Sequence, residues 1–181
     1  MHRRLFTGAL FTTPWLASAR ADSLPVRLRA GACVKLLRHA QTEPGIGDPP
    51  GFRLHECSTQ RNLSAEGLSQ AERIGQWFKS HNLRPRAVRS SAWCRCKDTA
   101  DLAFGGHAVW PALNSFFGES AGSETQTAQL RAALARLPAG EFEVWVTHQV
   151  NMTTLTGEGM MVGEAVIVDG QGKTVVRQTF R

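Results

Sequence analysis

Arg38 and His39 end a short apolar run that starts at Cys33, and His148 ends a second run over residues 142–147. Between them, the stretch from Ser90 to Ala100 carries Arg95. A basic residue directly after an apolar segment stands where a parallel sheet delivers side chains to its ligand-binding edge. Two arginines and two histidines gathered there suit the capture of a phosphate and attack upon it. The guanidinium is a planar fork of donors that matches phosphate oxygens. A neutral imidazole can attack phosphorus and carry the phosphoryl group covalently.

The elements that must hold these groups can be read around them. Cys33 to Arg38 is apolar apart from Lys35, the pattern of a central buried strand. Residues 44–52 are rich in glycine and proline, which predicts a loop; its place after His39 makes it a wall of the site. Ser64 is the expected N-cap of a helix carrying Leu68, Ala71, Ile74 and Phe78 on one stripe. Residues 87–90 form a short second strand, and 93–104 a helix stopped by Gly105 and Gly106. Residues 108–110 are a weaker third strand. Ser123 and Gln126 have capping-box spacing at the start of a helix bearing Leu130, Leu134 and Leu137. Residues 142–147 are a fourth strand, and 165–177 a hairpin turned at Asp169 to Gly172. Residues after His148 can open a short helix whose backbone N–H groups add anion donors. Alternating strands and helices predict an α/β sheet with helices on both faces.

The Arg38-His39-Ala40 triplet, the Ser90-Ser91-Ala92 stretch with Arg95, Thr99 and Ala100, and the late His148 resemble the histidine phosphatase superfamily. This phosphoglycerate-mutase-like family is matched from about residue 34 onward. The resemblance implies a three-layer α/β/α sandwich with a mostly parallel central sheet. It implies His39 as nucleophile, Arg38 and Arg95 as the phosphoryl clamp, and His148 as a further donor, with Gln149 at the substrate. Arg61 is either a third basic contact or an ordinary loop arginine. No cofactor and no metal are expected, and the partner is a small phosphorylated substrate. The chain departs from the family pattern at three places: Ala40 stands for glycine, Gln41 for glutamate, and Gln149 for an aspartate found in some members. A phosphomonoesterase must protonate its leaving group. Glu119 is the expected general acid, with Glu56 and Asp98 behind it. Without such an acid, phosphohistidine or phosphoramidate substrates are favoured. An alternative of another class is a weakly catalytic binding protein for phosphorylated envelope glycans. Specificity is assigned to the loops 44–57 and 114–125.

Length and composition bound the rest. At 181 residues the chain suits one domain with a real core. The formal charge is +6. Arg3, Arg4 and Arg20 lie in the first 21 residues and leave +3 for the remainder, with no basic stripe for nucleic acid. The expected organisation is an export signal over 1–21, a polar, flexible lead-in over 22–32, and the catalytic domain over 33–181. The signal has a basic start, a short interrupted apolar stretch and Ala19-Arg20-Ala21 before the cleavage point. Such a stretch is too short and broken for a stable membrane anchor. A signal of this kind implies a periplasmic or secreted location; the Arg3-Arg4-Leu5-Phe6 segment resembles a twin-arginine signal, the alternative being an ordinary secretory signal whose basic start holds two arginines. The sequence sets no oligomeric state. Of the four cysteines, Cys33 reads as a small buried apolar residue. Export allows Cys57 to pair with Cys94 or Cys96. Free thiols, or a metal site of His55, Cys57, Cys94 and Cys96, are the other readings; a one-residue gap between Cys94 and Cys96 is short for zinc ligands.

Overall fold

The structure is a computed structural model and describes residues 23–118 and 122–180. Six strands make one sheet: β1 (Cys33–Arg38), β2 (Ala87–Ser90), β3 (Ala108–Val109), β4 (Phe142–Thr147), β5 (Glu164–Asp169) and β6 (Thr174–Thr179). Their spatial order is β3-β2-β4-β1-β5-β6. The pairings β1–β4, β2–β4 and β2–β3 are parallel, while β5 and β6 continue the sheet antiparallel. The helices are α1 (Leu24–Ala30), α2 (Ala65–Ser80), α3 (Cys94–Phe104), α4 (Ser123–Leu134) and α5 (Gln149–Thr156). Among the described residues, no helix is long and apolar enough to cross a membrane.

Both faces of the sheet are covered, so β1 and β4 are apolar at most positions and buried at nearly all. Cys33, Leu37, Val144 and Val146 pack with Ile74 and Phe78 of α2 and Ala100 of α3. The alternate positions, Val34, Leu36 and Trp145, face Leu130 and Leu134 of α4 and Met152 of α5. Period-two alternation thus divides one strand between two cores. Lys35, the polar break in β1, is wholly buried. Its Nζ donates to Gln178 Oε1 at 2.8 Å and lies 4.6 Å from the ring centres of Trp77 and Phe180. Burial lowers its pKa well below the ordinary lysine value.

Two local expectations are corrected. Residues 24–30 of the expected flexible lead-in form α1, with Leu24 and Leu28 buried in the α2–α3 core. Leucines four apart share one helix face, and Arg27 and Arg29 on either side of Leu28 hide that stripe in a segment of polar appearance. Ser123 is the first residue of α4, not its cap; Gly122 precedes it at φ 85°. Gln126 Nε2 turns away to the carbonyls of Asn114 and Pro111, at 3.1 and 3.3 Å. At α2 the expected cap is present: Ser64 Oγ accepts from the Gly67 N–H at 3.1 Å.

Candidate active site

Strand register builds the centre of the site. Arg38 on β1 lies opposite Thr147 on β4. The residues that follow, His39 and His148, therefore leave adjacent parallel strands at the same carboxyl edge. Their ring centres are 5.5 Å apart. Ser90 of β2 pairs with Val146 of β4. The chain from Ser90 thus emerges at that edge and enters α3, which carries Arg95. Thr99 of α3 accepts the Ala40 N–H at 3.0 Å and donates to the Arg95 carbonyl at 2.6 Å. One hydroxyl thereby fixes the end of β1 to the helix bearing the second arginine.

His39 is buried, and its Nδ1 lies 2.9 Å from the Ala40 carbonyl. A carbonyl only accepts, so Nδ1 carries the proton and Nε2 keeps its lone pair. Burial first, and then the charges of Arg95, Arg38 and Arg61, outweigh the carbonyl contact and bring the His39 pKa down to about 3. His148 is pushed well below the usual imidazole value by burial, then by His39 and the same arginines. Both rings are neutral at neutral pH. His148 Nε2 lies 2.9 Å from Ser91 Oγ, which also lies 3.3 Å from Asn114 Oδ1. Asn114 in turn accepts the Ala92 N–H at 2.8 Å.

Arg38, Arg61 and Arg95 line the same cavity, of about 950 Å³, together with both histidines and Gln149. Arg38 Nη1 donates to the Met160 carbonyl at 2.5 Å. Arg61 Nη1 donates to Thr42 Oγ1 and the Gly45 carbonyl, each at 2.8 Å, which ties the loop after His39 to the cavity wall. The Nε atoms of all three arginines are buried and meet no acceptor among the described residues. Buried donors of this kind call for an acceptor with several oxygens. Arg61, open between two readings in the sequence, lines the same cavity as Arg38 and Arg95.

Asp48 is the principal residue that sequence reasoning missed. Its carboxylate takes bonds from both terminal nitrogens of Arg95, at 2.7 and 3.2 Å. It also accepts the Arg61 N–H and Trp93 Nε1, each at 2.9 Å. Burial works against ionisation of Asp48, but these bonds, led by Arg95, prevail and hold its pKa below the ordinary carboxylate value. The available signal was a single acid in the glycine- and proline-rich loop already assigned to the site wall.

The other acid candidates divide. Glu56 pairs with Arg53 and is absent from the cavity lining. Asp98 is absent from the cavity lining, and burial raises its pKa. Glu119 lies outside the described residues, although Gly118 lines the cavity. The cysteine alternatives resolve to a Cys57–Cys94 disulfide, with Cys33 and Cys96 free and buried. The proposed metal site thereby loses two ligands to each other; among the described residues, no group of three or more candidate ligands occurs. Cys96 lies 3.5 Å from His148 Nε2, and burial pushes its thiol up to about 12.

Residues 34–160 match the family model of the histidine phosphatase superfamily, branch 1. No curated protein matches the chain. The fold resembles SixA of Agrobacterium tumefaciens, named as a candidate phosphohistidine phosphatase, at TM-score 0.55 and 22% identity over 81% of this chain and 97% of that one. The protein histidine phosphatase SixA complexed with tungstate gives TM-score 0.54 and 15% identity over 81% and 96%. Phosphoglycerate mutase from Thermus thermophilus gives 0.58 and 20% over 82% and 99%.

Proposed function

Since the chain belongs to the histidine phosphatase superfamily, we propose that it is an exported phosphatase that hydrolyses a small phosphate monoester through a phosphohistidine. The observation that carries this reading is the convergence of three arginines, each with a buried and unmet Nε donor, on two neutral histidines. His39 Nε2 attacks phosphorus, the P–N bond forms, and the P–O bond to the leaving group breaks. Arg38, Arg61 and Arg95 neutralise charge on the phosphoryl oxygens throughout the transfer. With the Ser91 hydroxyl donating to Nε2, the neutral His148 ring carries its proton on the other nitrogen and donates from there to the same group, and Gln149 lies beside it at the start of α5. Water then cleaves the P–N bond and releases phosphate. We assign protonation of the leaving oxygen to Glu119, which follows the cavity-lining Gly118.

A phosphoramidate or phosphohistidine substrate is the second reading. The one carboxylate among the described cavity-lining residues, Asp48, is held ionised by Arg95. A leaving group that needs no carboxylic acid suits such a site. Export is supported by the N-terminal pattern of residues 1–21, which lie outside the described residues, and by a disulfide suited to an oxidising compartment.

His39→Ala should abolish hydrolysis of p-nitrophenyl phosphate while the circular dichroism spectrum stays that of the parent. Acid quenching of the parent during turnover should trap an acid-labile phosphoenzyme. Retained turnover, or phosphate found on serine or cysteine, removes His39 as nucleophile.

A further inference from the structure

Resting on the phosphatase reading, we propose that the site selects monophosphates with an uncharged, apolar leaving group, held between the loops 44–52 and 115–118. The first support is the balance of charge. The charged side chains lining the described cavity are Arg38, Arg61, Arg95 and Asp48. With both imidazoles neutral, this set carries two net positive charges, the complement of one phosphomonoester dianion. The polar remainder, Ser115, Gln149, Thr153 and Thr154, is uncharged. A second phosphate or a carboxylate on the substrate would meet no further cation there and would lose hydration without compensation.

The second support is the mouth. Ile46 is 90% exposed and Phe117 62% exposed, and both line the cavity with Phe52 and Phe116. The two loops approach each other: a Cβ placed on Gly47 would lie 3.9 Å from Phe117 Cε1. From the mouth inward, the Phe52 ring is 6.0 Å from Trp93, and the Trp93 ring is 5.2 Å from His148. An apolar wall thus runs from the opening to the reacting group. Large apolar side chains left in water at a cavity mouth gain from a ligand that covers them. Each methylene covered there is worth roughly a fourfold gain in affinity when fully buried.

The test compares hexyl phosphate with glucose 6-phosphate and 3-phosphoglycerate, all esters of primary alcohols. Hexyl phosphate should have the highest kcat/KM by about 10-fold or more, chiefly through KM. The joint substitution Ile46→Ser and Phe117→Ser should bring the three values together. Binding gives an independent reading: calorimetry should find hexylphosphonate at least about 10-fold tighter than methylphosphonate, a gain lost in the double variant. Equal binding of the two phosphonates, or preference for 3-phosphoglycerate, overturns the proposal. Ester turnover without apolar preference would leave the phosphatase reading standing and remove this one. Apolar preference in phosphonate binding without turnover of any ester would remove the monoester-hydrolase reading and leave only the apolar selectivity of the cavity standing.

Discussion

His39 combines two requirements that oppose each other in water: a free lone pair and a site crowded with cations. The Ala40 carbonyl holds the proton on Nδ1, and burial with the arginine charges keeps the ring neutral. The same cations that discourage protonation of His39 attract the phosphate it attacks. Asp48 and Glu119 should separate by mutation. Asp48 is ionised and bonded to Arg95, so it holds the clamp in place and has no proton to give. Asp48→Asn should therefore depress hydrolysis of an alkyl phosphate and of p-nitrophenyl phosphate by similar factors. Glu119→Gln should slow the alkyl ester by roughly 10² and the nitrophenyl ester far less, because nitrophenolate needs little protonation. The reverse pattern in paired kcat measurements would make Asp48 the acid.

Two neighbouring parallel strands in register set the element scale: each is followed directly by a histidine that lines the cavity, and α3 approaches from β2 with Arg95. Helix α2 supports the far side of His39. Its first turn presses on the segment after β1, where the Gln41 carbonyl accepts the Ser64 N–H at 3.1 Å. A Cβ on Gly67 would come within 1.8 Å of that carbonyl oxygen. Gly67→Ala must displace either the helix or the backbone two residues beyond His39. Urea unfolding should show a loss of about 1–3 kcal/mol, the usual cost of overpacking, accompanied by lower kcat. Unchanged stability and kcat would show that α2 can shift without disturbing the nucleophile.

Over the whole molecule, the Cys57–Cys94 bridge joins segments 37 residues apart in sequence. It fastens the loop after His39, which carries Asp48 and Arg61, to the first turn of α3, which carries Arg95. Chain entropy alone gives a closure of this length a worth of about 4 kcal/mol. Replacing both cysteines with serine should lower the unfolding free energy by that order and raise KM, since the clamp loop is then held only by hydrogen bonds and packing. An unchanged denaturation midpoint in the double variant would show the bridge to be incidental to the fold.

The positions of Arg38, His39 and His148 could be read from the chain because each depends on local pattern: an apolar strand, its end, and the residue that follows. Arg95, five residues after Ser90, was singled out by its resemblance to the family stretch. Helical periodicity marked Ala71, Ile74 and Phe78 of α2 and Leu130 and Leu134 of α4 as core, but Leu68, expected in the first stripe, is exposed, and Leu137, expected in the second, lies beyond the end of α4. With the alternation of elements, the sequence also marked a sheet covered on both sides. Neighbours distant in sequence were decided only by tertiary structure. Asp48 sits in a loop with no period, and nothing local aims it at Arg95. Cys57 could have met either Cys94 or Cys96, two residues apart on α3; the helix turns Cys94 toward the loop and buries Cys96 against His148. Ser91 reaches His148 only because β2 and β4 are adjacent. Residues 24–30 became a helix because Leu24 and Leu28 find the α2–α3 core. Local spacing sets which face of an element is apolar, whereas partners many residues apart are chosen by the packing of whole elements, which no short window of sequence contains.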